Sequence, residues 1–352
     1  VTEAERETRG IAIEGLALTR LRDLAELTAT VGAAATVGIF RGLREEPAAA
    51  EELARRLDLD GRAVAILLPV LEEAALLHRL RDGRYTVTPS ARRHLADPDA
   101  EEYEGDGLPL WLENLRAFTR LPEVLREGGP LERAVGADAA GDEAGADEEA
   151  LARFMAAMAA APRARIERLV DRCVERLGAR TTTSGPPRVL DLGGGPGHMS
   201  RVFTEKGFRA VLFDKPETVR YVGDAYGLDG EAEIDLVGGD FVEDPLPQGP
   251  FDVVLLSNII HIYSAETNRE LLEKVSRVIR PGGVVAVADF LRGRSPRAAR
   301  FALVMLLRTG GGDTYAEEEV EAWLEAAGFT DPACSSIDDD RHLITAVRLG
   351  PS

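Results

Sequence analysis

The apolar positions of the chain follow one rule up to about residue 100 and another from Arg188 onward. In the first stretch they recur at helical spacing. Leu21 to Phe40, with Val31, Val37, Ile39 and Phe40, predicts a helix, and Ala48 to Leu57 predicts a second, shorter one. Asp58 to Gly61 makes the turn into a third, Arg62 to Leu77, with Val64, Leu67, Leu68, Leu71 and Leu76 facing inward. Arg81 to Arg84 then reads as a hairpin tip, with Tyr85 and Val87 on the return strand. Three helices and a hairpin make a winged-helix pattern.

Residues 101–187 change character. Trp111, Leu112, Leu115 and Phe118 predict an amphipathic helix reaching toward Leu125, stopped at Gly128-Gly129-Pro130. Gly136 to Glu149 is acidic, rich in small residues and without an apolar face, so a mobile loop is expected there. Leu151 to Leu177 is helical again and interrupted near Pro162. Its Phe154, Met155 and Met158 are adaptable side chains that suit either a core or one wall of an aromatic substrate pocket.

From Arg188, short apolar runs alternate with helical stretches, the pattern of an open α/β sheet. Strands are expected at Val189–Leu192, Ala210–Asp214, Glu233–Val237, Phe251–Leu256, Val284–Asp289, Cys334–Ile337 and His342–Arg348. Helices are expected near Ser200–Lys206, Glu217–Tyr226, Glu266–Val278 and Glu317–Ala327. Ligands in such sheets bind at the carboxyl ends of the strands.

The first of these strands runs into VLDLGGGPGHMS, residues 189–200, where Asp191, Gly193, Gly195 and Gly197 form D-x-G-x-G-x-G. Glycines between a strand and a helix let backbone approach a ligand at a helix N-terminus. A dinucleotide fingerprint wants a third glycine where His198 stands, so a pyrophosphate is not the expected ligand. Asp214 ends the second strand and can accept from both hydroxyls of a ribose. Asp240 offers a carboxylate to an adenine amino group and Phe241 a ring to lie against the base, although either acid could instead cap a turn. His261 follows the fourth strand at the mouth of the sheet and is the base candidate among five histidines. Ser264 is placed to cap the helix beyond it.

Composition removes several classes. The net charge of −19 argues against a large phosphate-binding surface, and residues 1–100 carry 14 basic against 17 acidic side chains. Glu72 and Glu73 stand on the helix that would enter a DNA groove, so a pairing module is expected rather than a nucleic-acid partner. No run is long enough to span a membrane, VTEAERETRG lacks an apolar signal core, and two cysteines make no disulfide framework. A cytoplasmic location without membrane contact is expected. Nor is a metal-ligand cluster visible, so no metal is expected.

VLDLGGGPG, FDKPETV, GGDF, SNIIHIYS and PGGVVAVADF, behind a winged-helix pattern, together resemble the S-adenosylmethionine-dependent small-molecule O-methyltransferases of the hydroxyindole and caffeate type. The bacterial branch that tailors aromatic natural products is the most similar. The resemblance implies a Rossmann-like class I domain with a seven-stranded sheet over residues 188–352, preceded by a mainly helical winged-helix dimerisation domain over 1–100. It also implies an S-adenosylmethionine donor leaving as S-adenosylhomocysteine, a homodimer and a hydroxylated aromatic acceptor. By position it makes His261 the catalytic base and Asp289 the acid that orients it. Asp191, Gly193, Gly195, Asp214, Asp240, Phe241 and Ser257 fall to the cofactor. Phe154, Met155, Met158, Asn258 and Met305 fall to the acceptor, with Phe301 and Leu306 beside Met305. A second acid of the family aligns near Asp313-Thr314, and the tryptophan that often follows the histidine is replaced by Ile262 and Tyr263. Two other readings stay open from the residues: a non-methylating enzyme on the same fold, and a winged-helix regulator.

Overall fold

The computed structural model describes residues 18–100, 102–130, 146–178 and 185–350. The expected acidic loop at 136–149 lies mostly outside them. The chain divides into two compact units. One is drawn from residues up to Thr119 with Ala156–Pro162, the other from Arg120–Met155 and Arg163 onward.

In the first unit, α1 (Leu18–Thr36) and α2 (Ile39–Gly42) replace the single helix expected over Leu21 to Phe40. Gly38 at φ 79° breaks it, a left-handed conformation that a helix interior cannot hold. Next come α3 (Ala50–Leu57) and α4 (Gly61–Glu73), the latter capped by Asp60, whose side chain accepts from the Ala63 N–H at 2.8 Å. The third helix ends earlier than expected. Ala75 is left-handed at φ 57°, and Leu77 already belongs to β1 (Leu77–Arg79), which pairs antiparallel with β2 (Tyr85–Val87). Phe40, Leu53, Leu68 and Leu71 form a core fully removed from water beneath the hairpin, so the winged-helix pattern is realised. The helix expected from Trp111 toward Leu125 is two: α5 (Leu108–Thr119), and in the second unit α6 (Leu121–Glu127), with Pro122 in its first turn.

After them in sequence run α7 (Ala146–Ala159) and α8 (Arg163–Leu177), parted at Pro162 as expected. The second unit then alternates as its sequence predicts: β3 (Arg188–Leu192), α9 (His198–Glu205), β4 (Arg209–Asp214), α10 (Pro216–Ala225), β5 (Ile234–Gly238) and β6 (Phe251–Ser257). It continues with α11 (Ala265–Val278), β7 (Ile279–Asp289), α12 (Ala298–Arg308), α13 (Glu317–Ala326), β8 (Phe329–Ser336) and β9 (His342–Arg348). These strands form one sheet in the order β8-β9-β7-β6-β3-β4-β5, parallel from β5 to β7, with β9 antiparallel to β7 and β8 antiparallel to β9. β8 starts five residues before the expected Cys334, and Asp331-Pro332 is absorbed as a bulge between Thr330 and Ala333.

The central strands read as unbroken apolar runs because both faces are covered. Val253 to Leu256 and Val284 to Val287 are 0–1% exposed. Strand order reverses at β3, where β6 leaves on one side and β4 on the other. Chain crossing in opposite directions at that point opens a crevice above the carboxyl ends of β3 and β6. The glycine loop follows one of these strands, and Ser257 to His261 follow the other.

Candidate active site

Three of the loop glycines, Gly193, Gly195 and Gly197, are required by geometry. Gly193 is at φ 66°, and a Cβ there would come 2.3 Å from Ile259 Cδ1. Gly195, at φ 47°, has only Met155 Sδ within 4 Å of such a Cβ, at 3.9 Å. The loop therefore packs tightly behind Gly193 and opens at Gly195, with Met155 across from it. The Gly195 N–H donates to Asp214 Oδ2 at 2.9 Å, and the Lys215 N–H to Oδ1 at 2.7 Å. Burial pushes the Asp214 carboxyl above its ordinary range, and these N–H donors oppose that.

Asp191 lies deeper. Its Oδ2 accepts the Ser200 hydroxyl at 2.7 Å, tying β3 to the start of α9, and burial raises its pKa to about 6. The charged form is thus disfavoured in the folded state. The protection that this gives is complete below the unfolded pKa of about 3.9 and is lost as pH rises through 6, a cost on the order of 3 kcal/mol. Asp191→Asn is expected to raise Tm at pH 8, with the gain vanishing by pH 4. A thermal melt showing equal or lower Tm at pH 8 would refute this account.

Asp240 and Phe241 follow β5. Asp240 Oδ1 accepts from the Val242 N–H at 2.8 Å and the Glu243 N–H at 3.3 Å, so this carboxylate does cap a turn. Phe241 is buried edge-on to Phe213 and Tyr263, with centroids 6.4 and 5.9 Å apart, and its ring reaches 3.6 Å from the position of a Gly193 Cβ. An open glycine loop, a buried carboxylate and a ring at its side fit a nucleoside bearing an amino-acid tail, the shape of S-adenosylmethionine.

On the β6 side, Asn258 follows Ser257 at φ 57°, a left-handed conformation that asparagine tolerates. This turns the chain into a short helical turn, Ile260–Ile262, and buries His261. The fully buried Asn268 of α11 holds the turn, its Nδ2 donating to Ile260 O at 2.8 Å and Tyr263 O at 3.2 Å. From the other side Gly312 packs on it so closely that a Cβ would lie 2.4 Å from His261 O. His261 Nδ1 bonds Asp289 Oδ1 at 2.7 Å, and its backbone N–H reaches Oδ2 at 3.3 Å. Asp289 is 1% exposed at the end of β7 and also accepts from the Phe290 N–H at 2.7 Å. With its carboxylate as acceptor, Nδ1 carries the proton and Nε2 keeps a lone pair.

Phe301 of α12 stands edge-on to the imidazole at 4.8 Å between centroids, and Phe290 packs on Phe301 at 4.3 Å. Met305 lies buried one turn further along α12, whereas Leu306 is 37% exposed and faces solvent rather than the site. Phe154 and Met155 belong to the second unit and Met158 to the first. At Asp313-Thr314, where a second acid was expected, Thr314 is buried with its hydroxyl toward Ala298 O, and Asp313 pairs with Arg292 at 3.5 Å. Asp289 alone orients His261 among the described residues.

The chain as a whole is similar to known proteins. A family profile described as an O-methyltransferase domain matches residues 118–330. Over 315 residues the chain is 30% identical to the tetracenomycin polyketide synthesis 8-O-methyl transferase of Streptomyces glaucescens, covering 86% of this chain and 88% of that protein. The chain belongs to the S-adenosylmethionine-dependent O-methyltransferases. The enzyme is also 29% identical over 326 residues to a 3-hydroxy-5-methyl-1-naphthoate 3-O-methyltransferase of Streptomyces sahachiroi, covering 89% and 90% of the two chains. Human N-acetylserotonin methyltransferase with bound S-adenosylmethionine shares the fold at a TM-score of 0.79, with 22% identity and 99% coverage of both chains.

Sequence reading singled out the loop, His261 and Asp289 of this methyltransferase but missed Phe290, Asn268 and Arg341. The first two sit beside recognised residues, where burial is the only signal. Arg341 precedes β9 and reaches Asn258 Oδ1 with Nε at 3.4 Å across 83 residues of sequence, a proximity that only strand pairing creates.

Proposed function

We propose that this methyltransferase transfers a methyl group to a hydroxyl of an aromatic small molecule, with His261 as general base. The observation carrying the proposal is the His261–Asp289 pair beside the crevice where the glycine loop opens. The 3-hydroxynaphthoate named for the Streptomyces sahachiroi relative is an acceptor of this class.

S-adenosylmethionine supplies an electrophilic methyl on a sulfonium. Gly193 and Gly195 would admit its methionine part, Asp214 its ribose hydroxyls, and Asp240 and Phe241 its adenine, with Ser257 nearby. Asp191 would act through the loop that it anchors. On the acceptor side, His261 Nε2 takes the hydroxyl proton as the oxygen bonds to the methyl carbon, and the carbon–sulfur electron pair stays on sulfur. A phenol has a pKa near 10, so at neutral pH its stronger nucleophile, the anion, is scarce without a base. Asp289 fixes the tautomer and balances the imidazolium that forms. Within the second unit, Phe301, Met305, Phe154, Met155 and Asn258 are the acceptor-side candidates, and apolar walls there would exclude water from the methyl donor.

The functional unit we propose is a homodimer joined through the winged-helix unit. That unit leaves Leu24, Ile66 and Val70 at 53, 57 and 40% exposure, large apolar side chains on helices that a second copy could cover. Light scattering should give twice the chain mass of 38.0 kDa. Among the described residues no helix is long and apolar enough to cross a membrane.

The decisive assay incubates the enzyme with S-adenosylmethionine and a panel of naphthols, hydroxynaphthoates and anthraquinone phenols. Product mass 14 Da above the acceptor, with one equivalent of S-adenosylhomocysteine, is the expected result. Formation of S-adenosylhomocysteine without an O-methylated product would reject it.

A further inference from the structure

Arg341 is a half-buried guanidinium at the carboxyl end of the sheet, in the second unit. It immediately precedes His342, which pairs with Asp289 in the β9–β7 register. Its side chain crosses the top of β7, stacking over the Phe290 ring at 4.6 Å, and ends against Asn258 at the top of β6. Among the described residues, the single Nε contact to Asn258 is its only side-chain hydrogen bond, and no carboxylate forms an ion pair with it.

The acids around it are committed elsewhere. Asp338 pairs with Arg165 at 2.7 Å and accepts the Asp340 and Arg341 backbone N–H groups at 2.9 and 2.7 Å. Asp340 faces Arg297 at 3.9 Å, and Asp289 is taken by His261 and the Phe290 N–H. Burial, then the neighbouring Arg165, depress the Arg341 pKa, and the nearby charges of Asp338, Asp289 and Asp340 only partly offset this. The stack then runs from this cation through Phe290 and Phe301 to the His261 imidazole. One end offers an unpaired planar cation, the other a base, and the span between is aromatic.

We propose that Arg341 binds a carboxylate on the acceptor, at the end of a fused-ring skeleton away from the hydroxyl that His261 serves. A guanidinium fork matches a carboxylate in two parallel hydrogen bonds, and the Phe290 face and Asn258 hold its plane. The substrate class is thus a hydroxylated polycyclic aromatic carboxylate. This rests on the reading of His261 as the acceptor-side base.

The test titrates the protein loaded with S-adenosylhomocysteine with 6-hydroxy-2-naphthoate and with 2-naphthol, by calorimetry. Wild type is expected to bind the carboxylate roughly 10- to 100-fold more tightly than the naphthol, as a charge-assisted contact would give. Arg341→Gln should reduce that preference to about threefold or less while leaving 2-naphthol and S-adenosylhomocysteine affinities unchanged, and Arg341→Lys should keep part of it. Equal wild-type affinities, no binding of the carboxylate, or a variant that weakens both probes alike would overturn the assignment. Methyl transfer to the naphthoate is scored separately. Binding through Arg341 without methylated product would leave the carboxylate site standing and remove the base-assisted reading instead.

Discussion

His261→Ala is expected to lower kcat for methyl transfer by on the order of 10³ while leaving S-adenosylhomocysteine affinity within twofold of wild type. The two readouts separate because His261 lies on the β6 side of the crevice, against Asp289 and Phe301, whereas the glycine loop and Asp214 lie on the β3 and β4 side. Without a proton acceptor, turnover depends on the small ionised fraction of the phenol. Rates in the variant should therefore climb tenfold per pH unit toward the acceptor's own pKa near 10, a slope that wild type does not show. Initial rates between pH 6 and 10 check this. A variant within threefold of wild type at pH 7.5 would mean that proton removal is not assisted by this residue.

Asp214→Ala carries the second large effect, on the cofactor rather than on the chemistry. Its carboxylate receives the Gly195 and Lys215 N–H groups at 2.9 and 2.7 Å, so the side chain shapes the loop as well as being the proposed ribose partner. Losing charge-assisted bonds while releasing the loop should raise the S-adenosylhomocysteine Kd by about 100-fold or more. Asp214→Asn can still accept from one of the two N–H groups, and its loss should be smaller. If calorimetry shows that alanine and wild type bind alike, the β4 acid is not a cofactor ligand.

Much of this site was legible because its parts are local. The glycine loop, Asp214 and the SNIIHIYS segment each follow a strand with clear apolar patterning, and the α/β alternation puts all three at the same end of the sheet. Strand ends were displaced where backbone devices intervened. A bulge at Asp331-Pro332 lets β8 begin before Cys334, and Gly38 broke what looked like one helix. Arg341 was invisible for a different reason. Nothing near it in sequence marks it, and its neighbours Asn258, Phe290 and Asp289 come from two other strands. The pairing of His342 with Asp289 is what brings them together.

That pairing also sets an order of assembly. Residues 188–257 can form β3 to β6, glycine loop included, while the chain is still being made. Yet β7 has an unpaired edge until residues 342–348 arrive and slide between it and β8. Asp289 terminates that edge. Domains fold from the end synthesised first, and long-range strand insertion is slow. A ribosome-bound chain would thus complete the glycine loop and the strands on either side of it well before the strand that pairs with Asp289.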